Sequence, residues 1–268
     1  MNCKVFMQPR QLIVKPPGQA RGTASLVLRL ASLAQDDPSN FRRNPERVVP
    51  GHGRGPSRGV AQFALAVLWV TLLSAAAPAP KIVLFLGDSL TAGYGLDPSQ
   101  AFPALIQAKI DAKRWNIKVI NAGQSGDTSA GGLSRLDWLL KNRVDILVLE
   151  LGANDGLRGL PVEVTRKNLQ AIIDRTRQRY PQVKLVITGM KVPPNMGRDY
   201  GARFEAIFPA LAKKNQGALI PFILEGVASV RELNLPDGIH PTAEGHRVIA
   251  GNLWKTLEPL ISSLAPKA

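Results

Sequence analysis

The chain has 268 residues, 45% of them hydrophobic, and a mean hydropathy of −0.01, a balance that excludes disorder throughout. Its formal net charge of +14 divides evenly: residues 1–80 hold 10 Lys and Arg against 3 Asp and Glu, and residues 81–268 hold 24 against 17. The longer part interleaves bases with acids and has no aromatic-basic stripe, so no nucleic-acid partner is expected. The single cysteine, Cys3, excludes a disulfide framework and a Cys-based zinc site, leaving the fold to stand on its core.

In chain order, residues 1–58 are rich in Pro, Gly, Arg, Ser and Gln, with no sustained apolar period beyond Leu26–Leu33, and read as a disordered basic extension. Residues 59–80 contain an uncharged apolar run, 60–77, that follows Arg54 and Arg58 and leaves through small residues before Pro78. That is the pattern of an export signal, with translation expected to begin downstream near Val48 or Val49. An uncleaved membrane anchor is the competing reading, because the run is at the lower limit for spanning a bilayer. The expected location is accordingly periplasmic or secreted, or else membrane-anchored.

The folded domain is expected over 81–268. Lys81–Leu86, Ile117–Asn121, Asp145–Leu151 and Val183–Thr188 are near-continuous apolar runs, as strands buried on both faces require, and Leu219–Ile223 is a weaker fifth. Between them, Pro98–Arg114, Ser129–Lys141, Pro161–Tyr180 and Asp199–Asn215 carry apolar residues at helical spacing, and Thr242–Leu264 closes the chain as a helix. Strands alternating with helices predict an α/β fold, a three-layer α/β/α sandwich around a mostly parallel five-stranded sheet. Ligands of such folds bind at the carboxyl ends of the strands.

The unusual residues fall at those ends. Gly87-Asp88-Ser89-Leu90-Thr91 follows the first strand, Asn121-Ala122-Gly123-Gln124-Ser125-Gly126 the second, and Gly152-Ala153-Asn154-Asp155-Gly156 the third. A serine nucleophile needs a base, and the folded part offers two histidines. His240 stands in Asp237-Gly238-Ile239-His240-Pro241, where the acid three residues upstream can fold back on the imidazole. His246, inside the last helix, reads as structural. Gly123, Asn154 and the Ser89 N–H are suited to stabilising an oxyanion.

Taken singly, each block has a plainer reading. Gly-Asp-Ser is a turn or helix cap, Gly123 a turn requirement, Asn154 a capping residue, and Asp88 an Asx-turn or a support to the site. Asp237 and His240 alone leave a triad pair or a metal ligand open, and the absence of further His or Cys at ligand spacing argues against metal. Trp69 falls in the export segment, while Trp115, Trp138 and Trp254 read as helix-packing residues. Met190 and Phe222 follow strands and read as core before they read as acyl contacts.

Together, the four ordered blocks resemble those of the SGNH, or GDSL-motif, hydrolases, here Ser89, Gly123, Asn154 and His240, over Lys81 to about Leu264. Within that superfamily GDSLTAGYG, ELGANDGLRG and DGIHP are most similar to the bacterial periplasmic arylesterase, thioesterase and lysophospholipase branch. The resemblance implies a flavodoxin-like SGNH fold and no cofactor or metal. It also implies Ser89 as nucleophile, His240 as base then acid, Asp237 as its partner, and Ser89, Gly123 and Asn154 as oxyanion donors. Leu157, Arg158 and Pro194 are candidates for shaping an acyl groove. Small-molecule or lipid esters, including lysophospholipids and possible thioesters, are the implied substrates, with transient membrane association an option and the oligomeric state open. A carbohydrate O-deacetylase and a non-catalytic binding module on the same fold stay open as alternatives.

Overall fold

The computed structural model describes residues 78–265. The expected basic extension, most of the export segment, Cys3 and Trp69 lie outside the described residues. Five parallel strands form one sheet in the order β2-β1-β3-β4-β5: β1 (Lys81–Gly87), β2 (Ile117–Gly123), β3 (Ile146–Glu150), β4 (Lys184–Thr188) and β5 (Ala218–Ile220). Their hydrophobic runs are buried because helices cover both faces. Val83, Leu84, Phe85 and Leu86 of β1 and Ile146 to Leu149 of β3 form the centre of the core.

The intervening helices are α1 (Ser89–Ala92), α2 (Phe102–Ala112), α3 (Ser129–Leu139), α4 (Ala153–Leu157), α5 (Val162–Arg179), α6 (Arg198–Glu205), α7 (Ile207–Lys214) and α8 (Ala243–Ser262). α2 packs on α8 to form one layer, and α3 and α7 pack on α5 to form the other. The helical period supplies the buried stripes: Phe102, Ile106 and Ile110 on α2, and Ile249, Leu253, Leu257 and Ile261 on α8. Each such side chain, fully buried, contributes about 1.5–3 kcal/mol by leaving water. β1 has β2 on one side and β3 on the other, so the chain reverses direction across the sheet here and opens a crevice at their carboxyl ends.

Three sequence expectations need correction. The helix expected over 199–215 is two, α6 and α7, divided at Ala206; Pro209 has no N–H to donate to the carbonyl of Glu205, four residues back. The helix expected from Pro98 begins only at Phe102, after a 3₁₀ turn over Pro98–Gln100 and an extended Ala101. Trp138 does not pack: it is 69% exposed, whereas Trp115 and Trp254 stack on each other at 6.3 Å. Among the described residues no helix is long and apolar enough to cross a membrane.

Candidate active site

The first strand exit is shaped by a close approach that admits only glycine. A Cβ on Gly87 would lie 2.0 Å from Thr91 Oγ1 and 2.5 Å from Glu150 Oε2. The chain then turns into α1, capped by Asp88, whose Oδ1 accepts from the Leu90 N–H at 3.0 Å. Ser89 is therefore the first residue of a helix, with its hydroxyl directed into the crevice. Asp88 Oδ2 also accepts from Asn154 Nδ2 at 3.3 Å, so the residue is at once a cap and a tie between two strand exits.

His240 arrives from the loop before α8. Gly238, at φ 69°, makes the turn that brings Asp237 back onto it. Asp237 Oδ1 accepts from the N–H groups of Ile239 (2.9 Å) and His240 (3.0 Å), and Oδ2 lies 2.7 Å from His240 Nδ1. These bonds, led by the His240 backbone N–H, lower the Asp237 carboxyl to about 2. An ionised Asp237 requires the proton on Nδ1, which leaves Nε2 as an acceptor. Nε2 stands 3.0 Å from Ser89 Oγ. The Tyr94 ring lies against the imidazole, with centroids 4.3 Å apart.

The expected oxyanion donors gather at the same end of the sheet. Asn154 sits in the first turn of α4, whose cap Gly152 has φ 119°. Its Nδ2 donates to the Asp127 carbonyl at 2.9 Å, and the Gly123 N–H donates to Asn121 Oδ1 at 2.9 Å. Glycine at 123 has a packing reason as well, because a Cβ there would fall 2.1 Å from the Ala92 nitrogen.

Around this set lies a polar framework that the sequence reading passed over. Arg135 donates to Asp127 (2.6 Å) and to the Gly87 carbonyl (3.0 Å), joining the first two strand exits. Buried Asp155 accepts from the Ser129 N–H at 2.7 Å and from Thr165 Oγ1 at 3.1 Å, fixing α4 to α3 and α5. Glu150 is buried beneath Asp88, accepting from Thr91 Oγ1 at 2.7 Å and from the Asp88 N–H at 3.3 Å. Burial and the neighbouring Asp88 charge raise the Glu150 carboxyl well above the usual range, and burial raises Asp88 to about 6. A lone acid inside the apolar run of β3 was the signal available for Glu150.

A cavity of about 650 Å³ opens beside Ser89 and His240. Its wall is largely apolar, with Leu157, Val192, Pro194 and Ile239 among its residues. Met190 and Phe222 line it too; Met190 belongs to the core as expected, while Phe222 is only half-buried. Of the groove candidates, Leu157 and Pro194 are on this wall, whereas Arg158 is turned to the Gly126 carbonyl at 3.1 Å. Among the described residues there is no cluster of three or more His, Cys, Asp or Glu able to hold a metal.

The profile of the GDSL-like lipase/acylhydrolase family matches residues 85–248. Esterase TesA of Pseudomonas aeruginosa is 40% identical over 184 residues, covering 68% of this chain and 90% of that protein. Thioesterase 1/protease 1/lysophospholipase L1 of Escherichia coli is 40% identical over 204 residues, 76% of this chain and 96% of that one. The solved structure of the psychrotrophic esterase EstA from Pseudoalteromonas sp., inhibited by monoethylphosphonate, superposes with a TM-score of 0.64 at 32% identity, covering 68% of this chain and 99% of that one. The chain belongs to the GDSL-like lipase/acylhydrolase family and is a carboxylic ester hydrolase.

Proposed function

We propose that the chain hydrolyses acyl and aryl esters, lysophospholipid esters and acyl thioesters through an acyl-serine intermediate on Ser89. The observation that carries this reading is the continuous line from Asp237 Oδ2 to His240 Nδ1 (2.7 Å) and from His240 Nε2 to Ser89 Oγ (3.0 Å). His240 Nε2 takes the hydroxyl proton as Ser89 Oγ bonds to the substrate carbonyl carbon. Asp237, anionic throughout the working range, holds the tautomer and stabilises the imidazolium. The tetrahedral intermediate collapses as the alcohol or thiol leaves with the proton from Nε2. Water, deprotonated by the same nitrogen, then attacks the acyl-serine, and Ser89 is regenerated as the carboxylic acid departs.

The developing oxyanion is received by the Ser89 and Gly123 N–H groups and the Asn154 amide. The last two also have internal partners, Asn121 and Asp127, so they reach the oxyanion by sharing or exchanging those bonds. The apolar cavity wall favours an acyl chain over the acetyl group of a sugar, which sets the esterase reading ahead of an O-deacetylase. Turnover of a p-nitrophenyl ester series from acetate to palmitate, with Ser89→Ala as control, tests the whole reading. Chain-length-dependent hydrolysis lost in the variant is expected; a folded wild type inert toward every ester would favour a binding module.

We further propose that residues 59–80 are an export signal, that translation begins near Val48 or Val49, and that the mature enzyme begins near residue 81. The uncharged run 60–77 between Arg58 and Pro78 supports this. N-terminal sequencing of the exported protein checks it, and recovery of the intact segment in a membrane fraction would instead favour the anchor.

A further inference from the structure

Lys191 stands on the wall of the active-site cavity, and a glycine fixes where it stands. The Gly189 N–H donates to the Ile220 carbonyl at 2.7 Å, and the Gly189 carbonyl accepts from the Ile223 N–H at 3.0 Å. The exits of β4 and β5 therefore run side by side. A Cβ on Gly189 would lie 2.0 Å from the Pro221 carbonyl oxygen, which closes this approach to any other residue. Two residues on, the Lys191 ammonium lies 4.9 Å from the centroid of the Phe222 ring, within the range of cation–π attraction.

The cavity has three titratable side chains besides the apolar wall. Asp88 is fully buried, and His240 is turned to Asp237 and Ser89. Lys191 is exposed, and among the described residues no carboxylate lies within 4.0 Å of it. A fixed cation on an apolar wall attracts an anion more strongly than the same charge in open water.

We propose that Lys191 determines specificity by receiving a phosphate on the leaving group, so that phosphate-bearing esters and thioesters are preferred over neutral ones. The assignment rests on the esterase reading above. Apolar residues such as Leu157, Val192 and Ile239 hold a chain without distinguishing its charge; Lys191 supplies that distinction. Two leaving groups share this chemistry, the glycerophosphate head of a lysophospholipid and the phosphopantetheine of an acyl thioester.

The test compares kcat/KM on p-nitrophenyl octanoate, octanoyl-coenzyme A and octanoyl lysophosphatidylglycerol for the wild type and for Lys191→Gln, Lys191→Glu and Lys191→Arg. The ratio of phosphate-bearing over neutral substrate is expected to fall about fivefold in Lys191→Gln, the upper range for an exposed ion pair, and to do so through KM. It falls further in Lys191→Glu, returns in Lys191→Arg, and is compressed by high salt. A fall confined to one phosphate-bearing substrate identifies which leaving group Lys191 serves, and ratios unchanged in both the Gln and Glu variants overturn the proposal. Calorimetric binding of decyl phosphate to Ser89→Ala protein, weakened about fivefold by adding Lys191→Gln, decides the matter without turnover. A wild type inactive on all three substrates would therefore overturn the esterase reading while the binding measurement still judged Lys191.

Discussion

His246 should make the stability of the domain acid-sensitive in a way that one substitution can isolate. The side chain is fully buried in α8, its Nδ1 accepts from the Phe102 N–H at 3.1 Å, and its ring stacks on Phe102 with centroids 5.7 Å apart. Nδ1 is thus unprotonated, and the proton sits on Nε2, a buried atom with no partner. Burial lowers the imidazole from 6.5 to about 4. The unfolded chain takes up a proton near 6.5 and the folded chain only near 4, so this contribution is complete above 6.5 and lost as pH falls through that interval. The loss amounts to about 3 kcal/mol. Asp88, raised from 3.8 to about 6, acts in the opposite sense, gaining stability as pH falls, so the wild-type profile alone is ambiguous. His246→Asn places an oxygen near Nδ1, keeps an acceptor for Phe102 and cannot titrate. Urea unfolding of both proteins from pH 7.5 to 4 should show the variant less stable at the upper end, because it leaves space in the core. The gap should narrow by about 3 kcal/mol at the lower end. Parallel profiles would refute the reasoning.

Four further outcomes follow from the site. Asn154→Ala should lower kcat on p-nitrophenyl butyrate by about a hundredfold or more, since the proposed oxyanion donor is lost, and should lower the unfolding midpoint by the equivalent of about 1–3 kcal/mol, since Asp88 Oδ2 and the Asp127 carbonyl lose its amide. Asp237→Asn should lower kcat by about three to four orders of magnitude, because an amide can hold the imidazole in the wrong tautomer; near-normal turnover would remove Asp237 from the proton path. Gly123→Ala must displace the backbone of α1, so both the melting temperature and kcat should fall, the former by the equivalent of about 1–3 kcal/mol of overpacking. Glu150→Gln removes a carboxyl whose neutral form is favoured by burial. A raised carboxyl favours folding less and less as pH rises above its ordinary value of 4.5, so the variant should gain stability relative to wild type as pH is raised from there, measurable by urea unfolding.

The sheet was legible because its strands are buried on both faces, so Lys81–Leu86 and Asp145–Leu151 stand out as apolar runs with chemistry at their ends. The meeting of Ser89, Asp237 and His240 was legible for a related reason. Each follows a strand or precedes the last helix, and parallel topology collects those points at one edge. Local backbone chemistry was harder to read: periodicity spans the break at Ala206, which Pro209 imposes. The framework of Asp127, Arg135, Asp155 and Glu150 joins residues far apart in sequence, so no spacing marks it. Met190, Lys191 and Phe222 reach the cavity through the approach of Gly189 to Pro221, a tertiary contact with no signature along the chain.

The most direct test of the central claim, that Ser89 is the nucleophile activated by His240 and Asp237, is phosphorylation by diethyl p-nitrophenyl phosphate followed by peptide mass spectrometry. The account predicts one p-nitrophenol released per chain, a diethylphosphoryl group on Ser89, and slow labelling in His240→Ala. Labelling at another residue, or none on a folded wild-type chain, would contradict it.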